Sequence, residues 1–306
     1  MLWRSQGPRR LVENGWERLR RRPWPTEGPR TWRTSAVVVS YNTAELLAHL
    51  LYSLHRVLEP GSVERIVVVE NDSNDGTVEL LADMERRGLI EVVPNRHLTY
   101  HGPGLNRGIA YLADARRRGD IDSDVVWVLD SDAIILRPDA LEGALSRLQS
   151  CGAAVAAERG PVEAGLVPEG LPYIMSMLLD ARRVWQRGVQ PFWEHGAPNV
   201  GLYLSLARRG LEVAEFPFFA DNYVLHLGQG TIDALLQHTD TKNRYYSWAA
   251  RPRTFTYHWQ GNPRGAAIYD AFLAQFDADV GGELSAASLA GACLLPSRLR
   301  FDPTFG

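Results

Sequence analysis

From residue 35 onward the apolar positions alternate between two periods. Short runs rich in β-branched residues, "SAVVVS" (35–40), "RIVVVEN" (65–71), "LIEVVPN" (89–95) and "VVWVLD" (125–130), predict strands. Between them "LLAHLLYSLHRVL", "DGTVELLADMERRG" and "GLNRGIAYLADARRRG" place apolar residues at helical spacing, the last two ending on Gly88 and Gly119. Asn42 followed three residues later by Glu45 has the form of a capping box for the first helix. Strands alternating with helices at this spacing predict βαβ units: an α/β fold with a Rossmann-like, doubly wound, mainly parallel sheet and helices on both faces.

The pattern loosens after residue 150. "AAVAAE" (153–158) and "LEVAEF" (211–216) read as strands and "NVGLYLSLARRG" (199–210) as a helix. "LPYIMSMLLDARRVW" (171–185) is apolar without a clear period, and His226 falls in a looping region. Four units follow: a basic arm (1–34), a regular half (35–150), a less regular half of the same domain (151–260) and a helical extension (261–306).

Ligands of such sheets bind beyond the carboxyl ends of the strands. Each strand of the first half ends in polar residues: Ser40, Tyr41 and Asn42; Glu70, Asn71 and Asp72; His101 to Asn106; and Asp130 with Asp132. A turn that lets Asp130 and Asp132 serve one ligand supplies two hard oxygen donors, the preference of Mg2+ or Mn2+ carrying phosphate oxygens. Asn106 and His101 fall in a loop opening the third helix, where free backbone N–H groups favour anions; Gly102 and Gly104 there permit close backbone approach.

Composition narrows the classes. The chain has 306 residues, 45% hydrophobic and 23% charged, enough for a large core. Only Cys151 and Cys293 are present, outside any metal-binding spacing, which fits a reducing cytoplasm. No apolar run reaches the ~20 residues that span a bilayer, and the first residues lack a signal-peptide core. Residues 1–34 carry nine Arg against three Glu, which leaves a mildly acidic body under a net charge of −3. That balance argues against nucleic acid. A solvated arm lying on the domain is the plain reading of the basic head, with peripheral contact to anionic lipid or a polyanion as the other.

Four elements in order, "VSYN" (39–42), "ENDSNDGT" (70–77), "GPGLNRGI" (102–109) and "DSD" (130–132), resemble the inverting family 2 glycosyltransferases of GT-A fold over about residues 35–230. The resemblance implies a nucleotide diphosphate sugar as donor, held by the half 35–150, a hydroxyl of a soluble or peripheral acceptor, held by the half 151–260, and Mn2+ or Mg2+ as cofactor. It implies that Ser40, Tyr41, Asn42 and Glu70 hold the base and ribose, with Asp72 in the second acidic slot. Asp130 then contacts the ribose or a metal-bound water, Asp132 ligates the metal, and His226 is the third ligand, with His258 as its rival. The base of this family is usually an Asp at the start of the helix before "RRG". Here Asn199 stands about there, and an amide cannot accept the proton. Glu194, His195 and Asp221, in that order, are the candidates. Tyr173, Met175, Met177, Trp185, Phe192 and Trp193 form either an acceptor platform or core. A nucleotidyltransferase is disfavoured because "VSYNTAELL" has no glycine and no lysine; a nucleotide-sugar binder without turnover stays open through Asn199.

Overall fold

The computed structural model describes residues 21–95, 99–159, 170–193, 198–227, 263–281 and 284–301. Strands β1 (Thr34–Ser40), β2 (Val63–Glu70), β3 (Glu91–Pro94) and β4 (Val125–Asp130) lie parallel in the order β3-β2-β1-β4. Their register sets Ser40 beside Glu70 and Val39 beside Asp130, so the polar strand ends meet on one edge. Every residue of β1 is buried, as expected for a strand covered on both faces.

The two faces are covered by different helices. Ala36 and Val38 join the core under α1 (Ala44–Val57) and α2 (Thr77–Arg86); Val37 and Val39 join the core under α3 (His101–Arg118). That alternation is the period of two made visible. Helix α3 comes close to the sheet because Gly104 and Gly108 lie one turn apart on its inner face. A Cβ at Gly108 would sit 2.5 Å from Val37 Cγ1 and 3.0 Å from Val69 Cγ2. Gly108→Val is therefore expected to destabilise the protein by about 2 kcal/mol, in the range of overpacked cores, read as a lower urea midpoint at unchanged slope.

Beyond β4 the sheet departs from the doubly wound parallel pattern. It continues as β7 (Pro172–Asp180), β6 (Val155–Arg159) and β8 (Val213–Glu215), with β7 antiparallel to both β4 and β6. The unassigned run 171–185 is thus an interior strand followed by the short helix α5 (Ala181–Val184). Its one interior hydroxyl, Ser176 Oγ, accepts from Trp127 Nε1 at 3.0 Å. Helices α4 (Ala140–Ser150) and α6 (Val200–Arg208) complete this half, and β5 (Ala133–Ile135) pairs with β9 (Val224–His226) in a separate two-stranded sheet. His226 is therefore on a strand, correcting the looping region expected for it.

The capping box at α1 does not form. Thr43 is the N-cap and makes no side-chain cap bond, while Asn42 turns left-handed at φ 49°. Asp75, from the next loop, takes over: its Oδ2 accepts from Ala44 N at 2.9 Å and its Oδ1 from Thr77 N at 3.1 Å, so one carboxylate serves two helix starts.

Both ends of the described chain are packed. Trp24 is 1% exposed; its indole donates to Asp124 Oδ1 at 3.1 Å, and Arg182 holds the carbonyls of Thr26, Glu27 and Gly28. Residues 21–33 thus lie as an arm across the amino ends of the strands, with Trp24 buried and residues 26–30 exposed. At the other end α7 (Pro263–Val280) and α8 (Ala286–Cys293) cover α1. Phe272 and Phe276 meet Tyr52 edge to face, and buried Arg56 pairs with Asp279 at 3.1 Å.

Candidate active site

The chain after β4 turns at Ser131 and Asp132, and β5 then pairs with β9 so that Ala133 lies opposite His226. The backbone closes the link, with Leu227 N donating to the Asp132 carbonyl at 3.0 Å. This register, set by the apolar runs "AII" and "VLH", carries the imidazole to the carboxylates. His226 Nε2 lies 3.0 Å from Asp132 Oδ1 and 3.3 Å from Asp130 Oδ2. Asp132 is buried, His226 nearly so, and Asp130 is at the rim. Burial alone would lower the pKa of His226, but the carboxylates of Asp132 and Asp130 outweigh it and push it up to about 10.

These atoms are close without being well paired. His226 Nε2 and Asp130 Oδ1 are both buried and form no aligned hydrogen bond. Unsatisfied buried polar atoms are costly, and a cation shared by the group would satisfy them. One ligand atom from each of Asp130, Asp132 and His226 lies within 4.8 Å of the others. Two carboxylates and an imidazole suit Mn2+ or Mg2+, so the residues present fit the cofactor that the resemblance implies.

The turns that follow β1 and β2 interlock. Asn42 Oδ1 accepts from Asn74 N at 2.8 Å, and Asn42 N donates to Ser73 Oγ at 3.0 Å. Glu70 receives Asp72 N at 3.0 Å and Ser73 N at 2.7 Å, so its buried carboxylate holds the turn that follows it. Ser40 Oγ lies 3.0 Å from Thr43 Oγ1. Of Ser40, Tyr41, Asn42, Glu70 and Asp72, only Asp72 is exposed and Tyr41 is half-buried. Asp72 holds φ 67°, a left-handed conformation stabilised by the Glu70 contact to its N–H. Burial, then the charges of Asp72 and Asp75, raise the pKa of the Tyr41 phenol.

Asn106 is inside α3, one turn beyond its start, and not in a loop. Its amide pairs twice with the backbone of Phe192, donating to the carbonyl at 2.8 Å and accepting from N–H at 3.0 Å. Gly102 completes that seam, since a Cβ there would overlap the Trp193 carbonyl. His101 opens the helix with Nε2 3.3 Å from Asp130 Oδ1.

Where the family usually has its Asp, Asn199 is buried and donates its amide to the Pro172 carbonyl. Glu194 and His195 lie outside the described residues, as does His258. Asp221 is exposed in the turn 217–222, where its N–H donates to the Pro217 carbonyl at 3.2 Å. A carboxylate overlooked in the sequence is Glu158, at the carboxyl end of β6. Its Oε2 accepts from Phe219 N at 2.5 Å and Ala220 N at 3.1 Å, and burial raises its pKa against those bonds. The strand-end rule that singled out Asp130 applies to "AAVAAE" as well. Among the aromatic and Met candidates, Met177, Trp185 and Phe192 are at most 3% exposed and belong to the core, the second of the two readings open for them. Tyr173 and Met175 are only partly buried. Among the described residues no helix is long and apolar enough to cross a membrane.

Several solved structures resemble this one. The mannosyltransferase PcManGT of Pyrobaculum calidifontis, in complex with GDP-Man and Mn2+, is 17% identical over 91% of this chain and 85% of its own, with a TM-score of 0.47. TarS 1–349 of S. aureus, in complex with UDP, is 16% identical over 60% of this chain, TM-score 0.44. This chain spans 57% of that fragment. Glucosyl-3-phosphoglycerate synthase of Mycobacterium tuberculosis, with phosphoglyceric acid, is 19% identical over 63% of this chain and 75% of its own, TM-score 0.43. No curated protein matches the chain in sequence. The sequence profile described as "Glycosyl transferase family 2" matches residues 35–210, more than half of the chain and all four strand ends described above. The chain therefore belongs to glycosyl transferase family 2, with the GT-A fold of that family.

Proposed function

We propose that this protein transfers a sugar from a nucleoside diphosphate sugar to a hydroxyl group, with inversion at the anomeric carbon. The observation that carries the reading is the convergence of Asp130, Asp132 and His226, with two buried atoms lacking aligned partners, at the carboxyl edge of the sheet. These residues would hold Mn2+ or Mg2+, which supplies positive charge against the diphosphate of the donor. Tyr41 and Asp72, at the rim of the interlocked turns, would meet the base and ribose, and Ser40, Asn42 and Glu70 keep those turns in shape.

Inversion needs the acceptor oxygen to bond to the anomeric carbon from the side opposite the diphosphate, while the bond from that carbon to the diphosphate oxygen breaks. The acceptor proton passes to a base. Glu194 or His195 would serve, on the segment that Asn106 anchors at Phe192, with Asp221 as a third candidate. The acceptor would reach the site beside Tyr173 and Met175.

Asn199 favours one other reading. A buried amide, bonded to the Pro172 carbonyl where the family usually has its Asp, is compatible with a protein that binds nucleotide sugar without turnover. Calorimetric titration with UDP, GDP and dTDP, each with and without Mn2+, followed by assay of nucleoside diphosphate release from the matching sugar donors, separates the readings. One nucleotide is expected to bind only with Mn2+, and its sugar donor to be turned over. Binding without release would leave the non-catalytic reading, and no binding at all would remove both.

A further inference from the structure

We propose that His101 is a positioning residue for the cation site: it holds one oxygen of Asp130 so that the other faces the cation. This rests on the reading of Asp130, Asp132 and His226 as metal ligands. The two oxygens of Asp130 face different histidines. Oδ2 is 3.3 Å from His226 Nε2, while Oδ1 is 3.3 Å from His101 Nε2. Oδ1 is buried and has no aligned hydrogen bond, so His101 is the polar group placed to satisfy it after a small rotation of either side chain. The compact cluster of ligand atoms contains Asp130, Asp132 and His226 but not His101, so His101 acts on the metal through Asp130.

The elements give this contact its weight. Asp132 and His226 are fixed to each other by the β5–β9 pairing, but Asp130 is the last residue of β4, at the rim and outside that pairing. His101 comes from α3, whose place on the sheet is set by Gly104 and Gly108 against Val39, Val37 and Val69. The same helix start carries Gly102 against the Trp193 carbonyl and Asn106 on Phe192. A rigid helix end thus links Asp130 to the segment bordering the candidate base. Partners of this kind orient metal ligands, and their loss commonly weakens metal binding by about 10–100-fold.

The test is titration of the full chain with Mn2+ alone, read by the loss of the free-ion electron paramagnetic resonance signal, for wild type, His101→Ala, His101→Gln and Asp132→Ala. Thermal unfolding of each metal-free protein runs alongside. His101→Ala is expected to bind Mn2+ at least about 10-fold more weakly with an unchanged melting temperature. His101→Gln, whose amide nitrogen reaches about as far as Nε2, is expected to recover most of the affinity. Binding by His101→Ala within twofold of wild type, while Asp132→Ala loses it, would overturn the role of His101 and leave the metal site standing. Equal losses in both His101 variants with lowered melting temperatures would also overturn it, by making the residue structural only. Wild type that binds no Mn2+ would overturn the metal reading and this proposal together.

Discussion

Asp132→Ala is expected to abolish metal-dependent nucleotide binding, with a loss of more than about 100-fold in affinity measured in Mn2+, beyond what the loss of an outer partner costs. Asp132 is the buried carboxylate of the cluster and the one closest to His226, at 3.0 Å. Without it, Asp130 and His226 are left to hold the ion, one oxygen and one nitrogen. Asp132→Asn is the control for shape. It keeps an oxygen in place but removes the charge that a hard dication requires, so it is expected to fail nearly as completely. The fold should survive both changes, because the contact that locks β9 to this turn is made by the Asp132 backbone carbonyl to Leu227 N. Full retention of Mn2+-dependent binding in both variants would make the cluster an ion pair between one histidine and two aspartates, and the glycosyl transfer proposed for it would lose its support.

The residues that made this site readable in the sequence are those whose neighbours along the chain already explain them. A strand such as β4, buried from Val125 to Leu129 and polar at Asp130, has one place where ligands bind. "ENDSNDGT" likewise announces a turn, and the turn is there. What the pattern did not show depends on contacts between distant segments. Asp75 caps α1 across 31 residues, which no local capping rule anticipates. Asn106 fits a loop by composition, yet α3 begins five residues earlier because Gly102 and Gly104 are buried against Trp193 and Val39, where the sheet and not propensity decides. The strands β5 and β9 are three residues each, too short for a period of two to register, although their pairing delivers His226. The run 171–185 hid an antiparallel strand because a strand buried on both faces has no alternation to read. His226 itself was singled out through the family resemblance, and only the β5–β9 pairing shows how it comes to lie beside Asp130 and Asp132.

Lowering the pH from 6.5 to 4.5 is expected to destabilise the metal-free protein by about 2–3 kcal/mol per pH unit, from two histidines on α1. Burial lowers the pKa of His49 to about 4, against the pull of Asp277, and lowers that of His55 to about 4, helped by Arg298 and opposed by the Leu89 backbone. His49 sits edge-on to Phe272 and Phe276, its Nδ1 without a partner, and His55 Nε2 is likewise unpaired. In the unfolded chain both take up a proton near pH 6.5, whereas the folded chain resists until about 4. The unfolded state thus binds more protons throughout this window, so stability is full above about pH 6.5 and falls as the pH drops toward 4, by roughly 3 kcal/mol for each histidine. Glu158 and Asp180, whose carboxyl pKa values are raised by burial, act in the opposite sense and soften the fall. His226 is held protonated to about pH 10, so its contribution is constant below 6.5 and is lost only on the alkaline side. Urea unfolding at pH 7, 6, 5 and 4.5 measures the slope. His49→Phe, which fits the aromatic surroundings, is expected to halve it. A slope unaltered by that change would mean that α7 opens to admit the proton, and that the packing of the carboxyl-terminal helices on α1 is looser than these contacts imply.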